Sequence, residues 1–407
     1  MGIMRLSTIR TLYSGGGPWA SVYLDTTVAN PTGTPQEARH ELDLRWREAR
    51  EWLGAHGADD ATLQAMDEVV EEAPARPGPG ELAVFASGGS VAFSRHLPVA
   101  PRRPQLAAWS ALPHAADLLR GIAALATSDT RDAPNALTSL AELGDTGEDI
   151  RWVRADVDRT GGSVRSSDGA VVTVRGEDEF ITKVSTKQRD QMWSVPKYQH
   201  AAEENWERNS NDVARVINAA VERTAADVVV LAGDIRARQL VRERLPKVLA
   251  GRVVEVEHET SVRPHPESRV RARREPTVHD PILDAATRAA IGAVARERRS
   301  EVLDRFHNGL SSGDSVQGVE QVCAAARDLR IDTLLISRDP STASVWVNPL
   351  SPTMIGPSKT DTGTDSPVWE PADDALVGAA ALTGAEGIVV DESNLIDGVG
   401  AILRYRL

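Results

Sequence analysis

The sequence predicts an α/β protein in three domains, the last of them an α/β/α sandwich. Three observations carry this. The chain has 407 residues, more than a single hydrophobic core usually serves, so two to three domains are expected. Helical stretches alternate with short apolar strands along most of its length, the pattern of layered α/β folds. Residues 228–233, VVVLAG, form a short β-branched run of the kind that fills the middle of a parallel sheet.

Residues 1–126 read as the first domain. In GPWASVYLDTT (17–27), Ala20, Val22 and Leu24 alternate with more polar or aromatic positions, a strand pattern. A helix follows from about 36 to 53, with Leu42, Leu44, Trp46, Ala49 and Leu53 roughly on one side. A second helix, about 61–72, runs into the breaker PARPGPG, and the strands ELAVFAS and SVAFSRHL form a hairpin turned at Gly88-Gly89.

Residues 127–262 read as the second domain. The acidic stretch 127–149 looks like a helix in an exposed connection. The strands IRWVRADV, SVRSS and AVVTVRG come next, separated by Gly161-Gly162 and Asp168-Gly169. An irregular polar stretch (183–200) leads to a helix over 202–224 carrying Trp206, Val213, Ile217, Ala220 and Val221. The buried strand VVVLAG and a helix over 235–245 complete the domain.

Residues 263–276, rich in arginine and proline, read as a linker, and 277–407 as the third domain. Its expected elements are helices over 282–306 and 315–329, strands TLLIS and VWV, a Pro/Ser/Thr/Gly-rich loop over 348–371, a helix over 373–383, and strands GIVVD and GAILRY.

Composition narrows the functional classes. No segment approaches the roughly 18 consecutive apolar residues of a membrane span, and the N-terminus has no signal-like apolar core. One cysteine, Cys323, excludes a multi-cysteine zinc site and fits a reducing cytoplasm. The net charge of -13 argues against a surface uniformly basic for nucleic acid. Two basic islands stand out against it: Lys183, Lys187, Arg189 and Lys197 beside Asp190 alone, and five arginines against two glutamates between Arg263 and Glu275.

Enzyme motifs fail on context. Gly309 to Gly313 reads G-x-S-x-G, but a helical segment precedes it and no histidine follows His307, so it is read as a helix-to-helix loop. Gly356-Pro357-Ser358-Lys359-Thr360 lacks the first glycine of a phosphate loop and is read as loop. Gly15 to Gly17 lack a dinucleotide fingerprint, and the histidines lack ligand spacing. Asp156 and Asp158 share a strand face, but Arg154 and Arg159 stand ready to neutralise them. Cys323 is expected to be a small core residue. No catalytic residue, metal or cofactor site is expected.

The last two domains carry a resemblance. LTGAEGIVVDESNLIDGVGAILRYRL, SSGDSVQGVEQVCAAARDLRIDTLLIS and EENWERNSNDVARVINAAVERTAADVVVLAGDIRARQLV resemble segments of Pelota and the class-one archaeo-eukaryotic release factors. GPWASVYLD near the start, and Trp193 followed by Tyr198-Gln199-His200, are similar to bacterial, actinobacterial members of that group related to the Balon hibernation factors. The resemblance implies a first domain at the decoding centre, a second whose tip approaches the peptidyl transferase centre, and a third that meets a translational GTPase. It implies 16S and 23S rRNA of the ribosomal A site as partners, elongation factor Tu as the candidate GTPase, and a monomer off the ribosome.

The tip departs from the release factors. Their Gly-Gly-Gln lets backbone approach the tRNA end and orients water, whereas no glycine lies between Gly176 and Gly233 here, and the corresponding stretch is RDQMWSVPKYQH. Trp193 and Pro196 are expected to enlarge and stiffen that loop, and no Asn-Ile-Lys-Ser string reads stop codons. Lys183, Lys187, Arg189, Gln191, Trp193, Lys197, Tyr198, Gln199 and His200 supply the cations, aromatic faces and polar groups that bind looped RNA. Arg269, Arg271, Arg273 and Arg274 form a second RNA-contacting candidate, or a solvated hinge. The expected function is a non-catalytic A-site binding factor for ribosome hibernation or stress protection. Alternatives are a rescue peptidyl-tRNA hydrolase using Gln188, Gln191 or Gln199, and a nonribosomal regulator on the same fold.

Overall fold

The computed structural model describes residues 3–27, 35–73, 80–97, 106–125, 150–158, 161–175, 195–256, 281–391 and 395–405. They form a mixed α/β structure whose chain divides into two compact units, residues 1–149 with 295–407, and residues 150–294.

The first unit opens with β1 (Ile3–Arg5) and a 3₁₀ segment, Leu6–Tyr13, followed by β2 (Trp19–Asp25), α1 (Pro35–Ala55), α2 (Asp60–Glu72), β3 (Glu81–Ser87), β4 (Ser90–Leu97), β5 (Leu106–Ser110) and α3 (Ala116–Leu125). An antiparallel sheet in the order β4-β3-β2-β5 forms its N-terminal part. Ala20, Val22, Leu24, Leu82 and Val84 pack under α1 and α2 against Leu42, Trp46, Leu53 and Met66. Trp19, Tyr23, Ala83 and Phe85 bury the opposite face, so the alternation read in GPWASVYLD marks two covered faces and not one wet one. Asp59 caps α2 through the Thr62 amide at 2.8 Å. Gly88 and Gly89, at φ 57° and 79°, make the two-residue turn, whose positive φ values glycine adopts without strain.

In the second unit β6 (Trp152–Asp158), β7 (Gly161–Ser166) and β8 (Val171–Arg175) precede α4 (Val195–Thr224), β9 (Val228–Gly233), α5 (Ile235–Arg244) and β10 (Val253–Glu255). The sheet order is β10-β9-β6-β7-β8, with β9 parallel to both β6 and β10, as its β-branched composition predicts. Val213, Ile217, Ala220 and Val221 repeat at helical spacing on α4 and pack with Val153, Ala155 and Leu231 of the sheet. At Gly233 the φ of +103° and a Cβ position only 2.0 Å from the Val157 carbonyl oxygen both demand glycine. Asp234 then caps α5, accepting from the Arg236 and Ala237 amides.

Helix α6 (Pro281–Ser312) is shared between the units and ends in Gly313 at φ 82°. The G-x-S-x-G string is therefore mostly the last turn of a helix and not a loop. After it come β11 (Ser315–Gln317), α7 (Val319–Arg327), β12 (Ile331–Ser337), β13 (Ser344–Asn348), β14 (Ser351–Gly356), β15 (Val368–Pro371), α8 (Ala372–Leu382), β16 (Glu386–Val390) and β17 (Val399–Leu403). Residues 315–317, expected to open a helix, instead pair as a strand with β17, because Gly318 at φ 84° stops helix propagation backwards. The stretch 348–371, expected as loop, contains β14 and β15, which flank β13 in a three-stranded sheet. Pro352 is tolerated there because β14 is an edge strand.

The main C-terminal sheet runs β1-β16-β12-β17-β11. Leu334, Ile336, Val389 and Ala401 face α7 and α8, while Leu335, Ile388, Val390 and Ile402 meet Phe306 of α6. That is the expected three-layer sandwich, with one addition: its edge strand β1 comes from the chain's first residues, paired antiparallel to β16.

Candidate functional site

The candidate tip spans the interval 176–194 between β8 and α4. Lys183, Lys187, Arg189, Gln191 and Trp193 lie outside the described residues, as do Arg269, Arg271, Arg273 and Arg274. Lys197, Tyr198, Gln199 and His200 are described in their backbone only, and they are helical. This corrects the expectation of an irregular stretch to residue 200. The helix begins at Val195, with Pro196 in its first turn, where a missing N–H is no loss and the fixed φ suits the helix.

The frame around the interval is well anchored. Arg223, in the last turn of α4, donates from Nε to Asp168 Oδ2 at 2.8 Å, and Ser166 Oγ donates to Asp168 at 2.6 Å. These bonds, Arg223's first, lower the Asp168 carboxyl to about 2. The β7–β8 hairpin is thus tied to the far end of the helix that leaves the tip. Gly161 lets β8 approach closely, since a Cβ there would sit 2.1 Å from the Val174 carbonyl oxygen.

Asp156 and Asp158 share a face of β6, as expected, with Val153, Ala155 and Val157 on the other. Arg154, on the same face, is buried in an ion pair with Asp284 of α6. The β6 strand turns Arg154 to the face opposite the apolar side of its neighbours, and Asp284, itself buried, compensates the guanidinium there. Cys323 is buried on α7, and burial pushes its thiol up to about 12, which suits a core residue and not a nucleophile. Among the described residues no group of three or more His, Cys, Asp or Glu is placed to hold a metal ion.

Two features of the first unit had no counterpart in the sequence reading. The first is a buried polar cluster. Arg120 of α3 pairs with Asp373 at 2.5 Å and Asp117 at 2.9 Å, and His114 Nδ1 lies 3.0 Å from Asp374. The Ala111 and Ala116 amides donate to Glu370 and Asp374. Burial and then the neighbouring His114 set the state of Asp374, whose carboxyl is raised. Burial lowers His114, but Asp374, Glu370 and Asp117 outweigh it and the imidazole is raised overall. The second feature is the Trp346–Trp369 pair on the three-stranded sheet, with ring centroids 4.9 Å apart. Adjacent acidic residues after Pro371 signal a helix start, but nothing local shows that their partners lie some 250 positions away.

Residues 151–312 match the model of Bacterial archaeo-eukaryotic release factor family 2. Over that span the chain is similar to the bacterial archaeo-eukaryotic release factors. The match contains the whole central sheet, α4, α5 and the interval 176–194. Two Mycobacterium tuberculosis proteins, the uncharacterized protein Rv2629 of strain H37Rv and the uncharacterized protein MT2704 of strain CDC 1551, are each 27% identical to the chain, covering 99% of it and 97% of their own length. Among solved structures, Archaeoglobus fulgidus Pelota is 11% identical with a TM-score of 0.31, covering 98% of this chain and 92% of its own. The archaeal translation termination factor aRF1 is 15% identical with a TM-score of 0.22, covering 98% and 96%.

Proposed function

We propose that the chain is a non-catalytic ribosome-binding factor that occupies the A site, in hibernation or stress protection, with its central tip near the peptidyl transferase centre. The observation that carries this is the family match across residues 151–312, combined with a tip in which RDQMWSVPKYQH replaces the Gly-Gly-Gln of a release factor and no glycine lies between Gly176 and Gly233. A family frame is retained and the segment that performs release chemistry is exchanged for cations and aromatics. Those suit phosphates and bases of looped rRNA.

The partners that follow are 16S and 23S rRNA and a translational GTPase, for which elongation factor Tu is the candidate. Location in the cytoplasm follows from the same reading; among the described residues no helix is long and apolar enough to cross a membrane. The test is co-sedimentation with vacant, translating and peptidyl-tRNA-loaded ribosomes, with peptide release measured in the last. Selective pelleting with vacant ribosomes and no release is expected. Release by the wild type that disappears in Gln191→Ala would instead establish a peptidyl-tRNA hydrolase.

A further inference from the structure

The outer face of the three-stranded sheet β14-β13-β15 is built unlike the rest of the surface. Register places Trp346 of β13 directly opposite Trp369 of β15 on one side and Gly356 of β14 on the other. Strand alternation sends Val345, Val347 and Glu370 inward, where all are buried. The two indoles therefore stand outward together, their planes inclined at 55°, and Trp369 remains 54% exposed. An indole left half open to water on a face already served by its neighbour is costly in apolar surface, and cross-strand aromatic support alone does not require it.

A cation completes the face. Lys359 sits with its Nζ 4.3 Å from the Trp346 ring centroid. It is carried on a short 3₁₀ turn fixed by a capping box between Ser358 and Asp361. The Asp361 carboxylate accepts from the Ser358 amide at 3.0 Å and faces Arg327 at 3.9 Å, so its charge is already committed. Among the described residues no carboxylate pairs with Lys359. Lysine is scarce in this chain, limited to Lys183, Lys187, Lys197, Lys247 and Lys359, and three of these five lie in the candidate tip stretch.

We propose that this face is a second RNA-contacting site, on which one unpaired nucleotide stacks its base against Trp369 and places its phosphate at Lys359. An open π-face beside an uncompensated ammonium matches a nucleotide's two halves, base and phosphate. A proline-rich peptide would use the indoles but bring the ammonium no anionic partner, which is why RNA is the better occupant. The site goes beyond the proposed A-site role and does not depend on where the tip docks.

The test uses the full chain and a fluorescent decauridylate RNA, followed by anisotropy, so ribosome binding does not enter. Trp369→Ala should weaken binding by roughly five- to a hundredfold, the range for loss of one stacked base. Lys359→Ala should flatten the salt dependence by about one phosphate's worth. Melting curves of both variants should stay near the wild type, since both side chains are exposed; a Trp369→Phe variant, which keeps an aromatic face, should restore most of the affinity and serves where the alanine variant folds poorly. A Trp193→Ala, Lys197→Ala double variant, altered only at the tip, should keep the Trp369-dependent component. Equal RNA affinity of wild type and Trp369→Ala would overturn the proposal and leave the pair as sheet support. So would a wild type that binds a proline-rich peptide but no decauridylate.

Discussion

Arg120 of α3 and Asp373 at the start of α8, 253 positions apart in sequence, meet at 2.5 Å with both side chains almost wholly buried. The guanidinium also donates to Asp117 and, through Nε, to the Ser337 carbonyl. The contact fastens the end of the N-terminal segment to the C-terminal sandwich, alongside the β1–β16 pairing.

Removing one member of such a pair leaves an uncompensated buried charge. Arg120→Ala is expected to cost about 3–5 kcal/mol, read as a fall in denaturation midpoint. A loss below about 1 kcal/mol would show that water reaches Asp373 freely.

The neighbouring His114 makes stability depend on pH. Its folded value lies above the ordinary 6.5, so the stabilisation is fully present below pH 6.5 and is lost as pH rises through the folded value. The raised Asp374 carboxyl acts in the same direction, because it too holds its proton more tightly in the fold. The melting temperature should therefore decline from mildly acidic to mildly alkaline pH, and His114→Gln should flatten that decline. An increase over the same range would refute the assignment.

Gly233→Ala tests the central sheet. The left-handed φ alone costs about 1–3 kcal/mol, and the Cβ placed 2.0 Å from the Val157 carbonyl oxygen forces β6 and β9 apart at their ends. A clear drop in thermal stability is expected, with loss of protection of the β9 amides in hydrogen exchange. A variant as stable as the wild type would mean that the strand end relaxes.

Local patterns made much of this fold legible. The periodicity of Val213, Ile217 and Val221 on α4, the β-branched run of β9 and the Gly88-Gly89 turn are short-range signals, and the structure follows them. What was not legible depends on partners distant in sequence. Met4 to Tyr13 join the C-terminal core only because β16 offers an edge. β14 and β15 exist because β13 lies between them, and loop-like Pro, Ser and Thr obscured them. The buried Arg154–Asp284 pair, 130 positions apart in sequence, is of the same kind. Of the candidate site, the helical start of α4 is seen at Pro196, while the cations and Trp193 of the tip lie outside the described residues.

Ribosome affinity should fall with salt. The protein is acidic overall, at a net -13, so only its basic islands release counterions from rRNA, and the slope should correspond to a handful of phosphates. Replacing Arg269, Arg271, Arg273 and Arg274 together should reduce that slope if the linker touches RNA. Binding indifferent to ionic strength would contradict RNA contact.

The most direct measurement is competition for the A site: pelleting of the wild-type chain with vacant ribosomes, before and after the A site is filled with tRNA. Proposed occupancy predicts strong binding to the vacant particle, its loss once tRNA is in place, and a roughly ten- to hundredfold weaker affinity for Trp193→Ala combined with Lys197→Ala. Equal binding with the A site filled, or no binding to either particle, would contradict the account.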